Sequence, residues 1–508
     1  MGITRFEQAC HGLTRAFVHG INRLDGRLVI FLTLSLYHLR FTLTGNEEAY
    51  FALARQYVDP GWIRNSWTFT EFPGTRLLFQ FIAGNMLKVI SFEQLSFLGR
   101  EAVFLLSAFP LARIFRFFRI PNIDVFCLFT IFLFLKQSFF AHEWIFGGFE
   151  AKTIAYVFVF YAFYYLFVSR VWMSLFFLIA ASCFHILVGG WSLAAVMVIL
   201  CLEKKEVRTS AKLGAVYMLA MSPFILYLGR RVILDSPGTI EGVSLDWIYV
   251  YYRNAHHVGL FKSFEYFIGE PLHGVLHALF WLGVCLFYFR RIPEDNIRLL
   301  NRANLGIFVI LFTALALAPL DRNGTFLKFY PFRLASLSMF FILVQAALWI
   351  RYTAGQKEFP FDRARALAGS LAVMLCVFIL LRGLNFALRK SLKHHLKRPP
   401  LVEMTGYIQR ETPPESLIYR YGVFEKSFAR RALRDIFVDY KFVPAGGAKL
   451  YEWYTRVRSK ERVYQDFRLF EDLRTDYGLD YLLTGDPIPW LEPRLEHENG
   501  AYFLYRLE

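Results

Sequence analysis

The chain carries a long succession of apolar runs, most of them about 16 to 20 residues long, separated by short polar connections. A helix of that length spans the hydrocarbon core of a bilayer, which is roughly 30 Å thick, because an α-helix rises about 1.5 Å per residue. These runs predict a polytopic α-helical membrane protein with about 11 spans. The predicted spans are 27–44, 99–118, 123–140, 153–169, 171–186, 188–202, 211–229, 271–289, 304–320, 334–350 and 366–386.

The composition agrees with a membrane protein. The 508 residues are 56% hydrophobic and only 19% charged, whereas about 25% of residues are charged in a soluble domain. The net charge of +16 is explained by Lys and Arg in cytoplasmic loops, so we expect no nucleic-acid partner. The six cysteines lie in or beside apolar runs or in the N-terminal arm, which predicts no disulfide framework. The first 26 residues are polar and basic, and we expect no cleavable signal peptide.

One further apolar run, 76–92, decides the topology. If it lies in the membrane interface, the larger basic clusters fall in alternate connections, which the positive-inside rule places in the cytoplasm. The N-terminus is then cytoplasmic and the C-terminus lies outside. A bacterial inner (plasma) membrane is the predicted location. The outer connections are 45–98, 141–152, 230–270 and 321–333.

Two domains are predicted. Residues 1–387 form the transmembrane domain, which includes the long first outer loop 45–98, and residues 388–508 form a small extracytoplasmic α/β domain. Four segments of the tail have strand-like composition, and "RLFEDLRTDYG" predicts a helix that ends at Gly478. The predicted strands are "SLIYRYGV", "YEWYTRV", "LDYLLTG" and "AYFLYRLE".

Acidic side chains occur at two places on the predicted outer surface. In the first outer loop, Glu47 and Glu48 open a predicted helix with Asn46 as its N-cap and Asp59 at its end. In the next outer loop, "HEWIFGGFEAKTIAY" (142–156) places Glu150 just before a span. A carboxylate at the edge of the hydrocarbon suggests a site.

This arrangement resembles the GT-C superfamily of integral-membrane glycosyltransferases, such as protein O-mannosyltransferases and lipid A aminoarabinose transferases. The shared features are the acidic pair after the first span, the acidic residue in the next outer loop, about eleven spans and an outer C-terminal domain. The pair is Glu47-Glu48 where the family usually has an Asp, and "FPGTR" (72–76) stands where many members have a Pro-Pro step. The resemblance implies inverting transfer of a hexosyl or pentosyl group from a polyprenyl-phosphate donor to a glycan, lipid or protein acceptor.

Such a transfer needs a carboxylate that deprotonates the acceptor hydroxyl, and Glu48 or Glu47 is the candidate. Glu150 is the candidate for orienting the base or the acceptor. If a divalent metal (Mg or Mn) takes part, Glu48 and Glu150 are its candidate ligands, because hard cations prefer carboxylate oxygens. The alternative for Glu47 and Glu48 is compensation of the helix dipole, and for Glu150 it is an interfacial ion pair.

The departing lipid phosphate needs cationic groups. The alternatives for these side chains are anchoring to lipid headgroups and, for histidine, ordinary packing. A break of the helix at Gly189-Gly190, beside one of the histidines, supports a site there. The candidate substrate or lipid-phosphate contacts are Lys152, His142, His185, Lys328, Arg333, Arg322 and Arg253. Gly147-Gly148 predicts a turn at the membrane surface, and Glu143 of the same stretch is left outside the candidate set.

Two other functions remain open at this point. A transporter or flippase of lipid-linked sugars is the main alternative, although such proteins commonly show repeat halves and ionisable groups near mid-span. A membrane scaffold whose tail binds partners is the other alternative, and it does not explain the acidic residues of the loops. Neither the sugar nor the acceptor follows from the sequence.

Overall fold

The computed structural model describes residues 12, 15–70, 76–202, 206–230, 237–356 and 362–507. The "FPGTR" step lies almost wholly outside the described residues. The α-helices are α1 Gly26–His38, α2 Gly45–Val58, α3 Leu77–Met86, α4 Phe92–Phe117, α5 Asn122–Phe134, α6 Ala151–Phe167, α7 Val171–Phe184, α8 Ile186–Leu202, α9 Val207–Gly229, α10 Leu245–Trp247, α11 Phe264–Gly269, α12 Leu272–Phe287, α13 Asp295–Leu317, α14 Ala335–Gln356, α15 Asp362–Glu411, α16 Phe428–Ala432, α17 Gly447–Gln465 and α18 Phe470–Tyr477. The strands are β1 Thr239–Ile240, β2 Val243–Ser244, β3 Leu417–Tyr421, β4 Asp435–Ile436, β5 Tyr481–Thr484, β6 Leu495–Glu498 and β7 Phe503–Arg506.

The chain is a polytopic α-helical membrane protein with a small α/β domain. Six helical stretches in the described residues are long and apolar enough to cross a bilayer: Phe92–Phe117, Val207–Gly229, Leu272–Arg291, Asp295–Leu320, Leu327–Thr353 and Ala372–Lys393. The other predicted spans coincide with shorter apolar helices, such as α1 and α5. The number of spans stays a prediction. Helix α3 has 10 residues and is therefore about 15 Å long, half of the hydrocarbon thickness.

The long helices turn large apolar side chains outward. Leu219 and Leu226 on α9, Phe280 on α12, and Phe378 and Phe386 on α15 are all exposed. In water such surfaces would be costly, and in a bilayer they contact lipid. Their outward position supports the assignment of these helices to the membrane.

The chain divides into two compact units. Unit 1 comprises residues 1–39, 99–224 and 254–388, and unit 2 comprises residues 40–98, 225–253 and 389–508. The boundary predicted at 387/388 stays a prediction.

Unit 1 packs its helices through aromatic rings and close backbone contacts. The ring of Phe340 contacts those of Phe129 and Phe160 at centroid distances of 5.9 and 5.3 Å. Gly189 lets α8 approach α7, because a Cβ there would lie 2.0 Å from Ser182 Oγ. The predicted break at Gly189-Gly190 is wrong, since both glycines lie inside α8 and the chain breaks at His185.

Unit 2 contains a five-stranded sheet in the order β4-β3-β5-β7-β6. Strand β3 pairs in parallel with β4 and β5, and the remaining pairs are antiparallel. Alternate residues face opposite sides, as the strand period of two requires. Ile418 and Leu483 join a core with α2 and the end of α15, whereas Tyr419 and Leu482 join a core with α17 and α18.

Three predicted strands of the tail are confirmed as β3, β5 and β7, and the predicted helix is α18, which ends at Gly478 in the left-handed conformation. The strand predicted at "YEWYTRV" is wrong, because this segment lies inside α17. Its buried residues Leu450, Trp453 and Val457 follow helical spacing. The high β-propensity of its aromatic residues therefore yields to packing on one helix face.

The first-loop helix α2 has a different N-cap from the predicted Asn46. Thr44 caps it: Glu47 N donates to Thr44 Oγ1 at 3.1 Å, and Thr44 N donates to Glu47 Oε2 at 2.6 Å. This reciprocal pair is a capping box. The helix ends at Val58 with Asp59 as its C-cap, as predicted.

Candidate active site

A buried carboxylate, Glu143, lies in the loop between α5 and α6 of unit 1. The loop is held by Gln137, whose Oε1 accepts from the backbone N–H groups of Ile145 at 3.0 Å and Phe146 at 2.8 Å. Ala141 and His142 both have positive φ, of 66° and 48°. Two consecutive non-glycine residues in this region are strained, which is typical of functional loops.

Three basic side chains surround Glu143. Arg333 Nη1 donates to Glu143 Oε1 at 2.9 Å and to Oε2 at 2.7 Å. Lys152 Nζ lies 3.9 Å from Oε2, and His257 Nδ1 lies 3.5 Å from Oε1. The Glu143 side chain is only 1% exposed. A buried carboxylate is tolerated when it is paired in this way.

The chain before α14 positions Arg333. Tyr330 has a φ of 52° and precedes Pro331, so the chain turns sharply before the helix. Tyr156 on α6 donates its hydroxyl to the Arg333 carbonyl at 2.9 Å. The guanidinium carbon of Arg333 lies 4.4 Å from the centroid of the Tyr330 ring. Arg333 Nε is buried and has no hydrogen-bond partner among the described residues.

Lys152 belongs to the first turn of α6, and its Nζ lies 3.6 Å from the centroid of the Trp144 ring. The residue is 5% exposed. A cation over an indole face keeps its charge at a lower desolvation cost. Lys152 and Arg333 thus bring two cations to one carboxylate in a buried place.

His257 is neutral in this cluster. Burial lowers its pKa to about 2, and the positive charges of nearby Arg333 and Lys152 act in the same direction. Its Nδ1 lies 2.8 Å from the Ala141 carbonyl oxygen. Because a carbonyl only accepts, Nδ1 carries the proton and the other ring nitrogen is an acceptor.

Glu150 is buried, at 3% exposure, and is the N-cap of α6. Its backbone N–H donates to Thr153 Oγ1 at 3.2 Å. The predicted turn therefore delivers Glu150 to the start of a buried helix, where the helix dipole favours negative charge.

Glu48 lies in unit 2 and forms a two-pronged ion pair. Arg430 Nε donates to Glu48 Oε2 at 2.6 Å, and Arg430 Nη2 donates to Oε1 at 2.9 Å. Arg430 Nη2 also contacts Glu93 Oε1 at 3.1 Å. Burial alone would lower the pKa of Arg430, but the hydrogen-bonded Glu48 and the charge of Glu93 raise it. Glu48 is therefore held in one orientation.

Glu47 has a different environment. It is fully buried, belongs to the capping box of α2, and accepts from Ser96 Oγ at 3.0 Å. These contacts stabilise the start of the helix. Its part in catalysis stays a prediction, as does that of Glu48.

The remaining candidates have other surroundings. His142 has its side chain 54% exposed, and its Nε2 lies 3.5 Å from Glu270. His185 is buried between α7 and α8. Lys328 lies in a 3-10 turn before Arg333, and Arg322 is exposed. Arg253 belongs to unit 2, 4.6 Å from the centroid of the Tyr440 ring.

The candidate set predicted from the sequence lacks four residues of these sites: Glu143, His257, Gln137 and Arg430. "HEWIFGGFEAK" did contain a signal for Glu143, since a carboxylate among aromatic residues near apolar runs is costly without a partner. Within the described residues, no three His, Cys, Asp or Glu side chains come together as metal ligands.

Comparisons with known proteins give a partial match and a whole-chain likeness. Residues 399–459 match a family model described as a domain of unknown function (DUF6798), and this segment contains Arg430. No curated protein matches the chain. Among solved structures, the chain is similar to ArnT from Cupriavidus metallidurans bound to undecaprenyl phosphate, with 12% identity and a TM-score of 0.47 over 97% of each chain. The apo state of the same protein gives 13% identity and a TM-score of 0.42 over 94% of this chain and 95% of that chain.

Proposed function

We propose that the protein is a glycosyltransferase that moves a sugar from a polyprenyl-phosphate donor to an acceptor at the outer face of the membrane. The observation that carries this proposal is the buried guanidinium of Arg333, whose Nη1 is paired with Glu143 while its Nε has no partner among the described residues. A buried donor without an acceptor calls for a ligand, and phosphate oxygens match the planar arginine fork.

Lys152 supplies the second cation. Its Nζ lies 3.9 Å from Glu143 Oε2, and Arg333 pairs with the same carboxylate, so two cations come together at one buried place. Two cations at one place suit the phosphate of a lipid carrier, and neighbouring apolar helices suit its tail. We propose that Glu143 holds both cations in place and that Arg333 and Lys152 bind the phosphate.

The transfer then follows ordinary acid–base chemistry. The acceptor oxygen attacks the anomeric carbon while a carboxylate takes the hydroxyl proton, and Glu48 or Glu47 stays the candidate that the family resemblance implies. The bond between the anomeric carbon and the phosphate oxygen breaks, and the lipid phosphate leaves with the electron pair. Arg333 and Lys152 stabilise the charge that develops on it. Glu150 orients the acceptor or the base.

The test uses purified full-length protein in lipid nanodiscs with a radiolabelled polyprenyl-phosphate sugar. We expect lipid phosphate to be released when acceptor-containing membrane extract is added. Arg333→Lys should reduce the rate at least about tenfold, because lysine cannot reproduce the guanidinium fork. Arg351→Lys is the matched control, since Arg351 pairs with Asp124 in an exposed ion pair.

Release that is equal in Arg333→Lys and wild-type protein would contradict the assignment of Arg333. A flippase reconstituted in closed vesicles would move the labelled lipid across the membrane without cleaving it. If the labelled lipid is translocated in proteoliposomes and is never cleaved, the protein is a transporter and the transferase proposal is wrong.

A further inference from the structure

Unit 2 contains a groove of about 640 Å³ that the proposed transfer does not use. Its walls come from three separate segments: the first outer loop, the β1–β2 hairpin and the start of α17. Its lining includes Trp67, Glu241, Lys449, Tyr451 and Glu452. Ligand sites of small molecules commonly have volumes of about 300 to 1,000 Å³. The groove has room for a few sugar rings.

Trp67 is held firmly in the wall. Its backbone N–H donates to Asp435 Oδ2 at 2.7 Å, and the neighbouring Ser66 hydroxyl donates to Asp435 Oδ1 at 2.7 Å. The guanidinium carbon of Arg456 lies 4.0 Å from the centroid of the indole ring. A fixed aromatic ring offers apolar contact at a low entropy cost, which suits the C–H faces of a sugar.

Two carboxylates line the same groove, and each is oriented by a neighbour. Tyr451 donates its hydroxyl to Glu241 Oε2 at 2.8 Å, and Arg456 Nε donates to Glu452 Oε1 at 2.7 Å. Each carboxylate therefore keeps one oxygen for which no partner is found among the described residues. Oriented carboxylate oxygens accept hydrogen bonds from hydroxyl groups of a ligand.

Glu241 also occupies an unusual backbone conformation. It has a φ of 49° and is followed by Gly242 at 79°, in the two-residue turn of the β1–β2 hairpin. Asn, Asp or Gly is the usual residue at the first position of such a turn. A glutamate there costs stability, and residues held in this way cluster at ligand sites.

The charges select the class of ligand. Glu241 and Glu452 are balanced by Lys449, which also lines the groove, and by Arg456, which does not line it but pairs with Glu452. The groove and its immediate neighbours therefore present no net charge to a phosphate or a strong cation. We propose that this groove binds an uncharged saccharide of one to three rings, with its hydroxyl groups on Glu241 and Glu452 and its ring faces against Trp67 and Tyr451. The site is independent of the proposed transfer.

The test measures binding of neutral disaccharides and trisaccharides to the full-length protein by saturation-transfer NMR. Cellobiose, maltose, mannobiose, N,N′-diacetylchitobiose and their trisaccharides form the panel. The protein is held in nanodiscs, because detergents with a maltoside headgroup would compete for the groove. We expect at least one of these saccharides to bind, and Glu241→Gln and Glu452→Gln each to weaken it at least about tenfold, the scale of a lost hydrogen bond to a charged group.

Glu492→Gln is the matched control, because Glu492 is an exposed carboxylate of the same unit outside the groove. Tyr451→Phe keeps the ring and removes the hydroxyl that orients Glu241, so it should weaken binding by a smaller factor. Absence of binding across the panel, or binding that Glu241→Gln and Glu452→Gln leave equal to the Glu492→Gln control, overturns the proposal. The cationic peptide trilysine is tested in parallel. If trilysine binds and none of the saccharides does, the proposal is overturned as well. None of these readouts requires transferase activity.

Discussion

The side chain of Arg333 meets that of Glu143 across 190 positions of sequence, with one guanidinium nitrogen donating to both carboxylate oxygens at 2.9 and 2.7 Å. Both side chains are largely buried, at 11% and 1% exposure. The desolvation of such a pair offsets much of its attraction, so the pair is weak evidence for stability. Its value lies in fixing the guanidinium for a ligand.

Removal of one partner alone should be strongly destabilising. Glu143→Gln leaves the cations Arg333 and Lys152 without their buried counter-charge, and we expect a loss of about 3 to 5 kcal/mol in unfolding free energy. The double variant Glu143→Gln/Arg333→Met should regain part of that stability, but it should not carry out transfer, because it lacks the guanidinium proposed to bind the phosphate. Denaturant unfolding in micelles and the lipid-phosphate release assay measure the two effects. A double variant that is no more stable than Glu143→Gln would show that the two residues do not act as a pair.

Glu47→Gln and Glu48→Gln should differ. Adjacent helical residues point about 100° apart, and the structure gives them different partners, Thr44 and Ser96 for Glu47 and Arg430 for Glu48. We expect Glu48→Gln to reduce transfer at least about 100-fold, and Glu47→Gln to cost about 1 kcal/mol of stability with little loss of activity.

Glu93→Gln serves as the control for this pair, because it removes the other carboxylate on Arg430 and leaves Glu48 intact. Rates are compared at equal amounts of folded protein. Equal, mild losses in Glu47→Gln and Glu48→Gln would mean that both side chains only stabilise the start of the helix.

The buried neutral His257 makes stability depend on pH. Its pKa is about 2 in the folded protein and close to 6.5 in the unfolded chain. The unfolded chain therefore binds a proton below pH 6.5 that the folded protein does not, so stability falls as the pH falls through this range. The slope from this group is at most about 1.4 kcal/mol per pH unit.

We expect His257→Gln to have a smaller decrease in melting temperature than wild-type protein between pH 7 and pH 5. The comparison isolates His257 from the carboxylates that titrate in both proteins. His142→Gln is the control, since the His142 side chain is about half exposed. The same acid shift in wild-type protein and His257→Gln would show that His257 is not buried in the neutral form.

The sequence predicts the helices of this protein well because apolar runs of membrane length admit few other structures. The predicted span 171–186 is helix α7, Val171–Phe184, and the run 188–202 lies within α8. The failures come from tertiary contacts. The aromatic residues of "YEWYTRV" favour a strand locally, but the face with Leu450, Trp453 and Val457 is covered only in a helix.

The same reason explains the incomplete candidate site. The sequence predicted Lys152 and Arg333 as cations at the outer surface, but for the carboxylate that joins them, Glu143, it indicated only a costly charge near apolar runs and no partner. Its burial depends on an arginine 190 positions away. Arg430, which holds Glu48, is similarly remote, 382 positions along the chain. Without homologous sequences, no local pattern reports such pairs.

Glu150→Gln should separate a site residue from a structural one. Gln keeps the size of the side chain at the N-cap of α6, so the loss of charge at the helix dipole should cost no more than about 1 kcal/mol. Transfer should fall at least about 100-fold if Glu150 orients the base or the acceptor. Gel filtration and the release assay measure folding and activity, with exposed Glu265→Gln as the control. Activity that persists while the protein aggregates would make Glu150 a structural ion-pair member.

The membrane topology can be tested separately. The distribution of Lys and Arg predicts that residues 254–270 and the α/β domain lie outside the cytoplasm, and that residues 290–302 lie within it. Single cysteines are introduced at Glu265, Glu492 and Arg298, which are all exposed in the structure. The background must have the six native cysteines replaced by alanine, since Cys183 and Cys201 are exposed and would react. A membrane-impermeant maleimide should label positions 265 and 492 in intact spheroplasts, and position 298 only after the spheroplasts are lysed. Labelling of 298 in intact spheroplasts together with protection of 492 would invert the orientation, and it would place the Glu143 cluster on the cytoplasmic side.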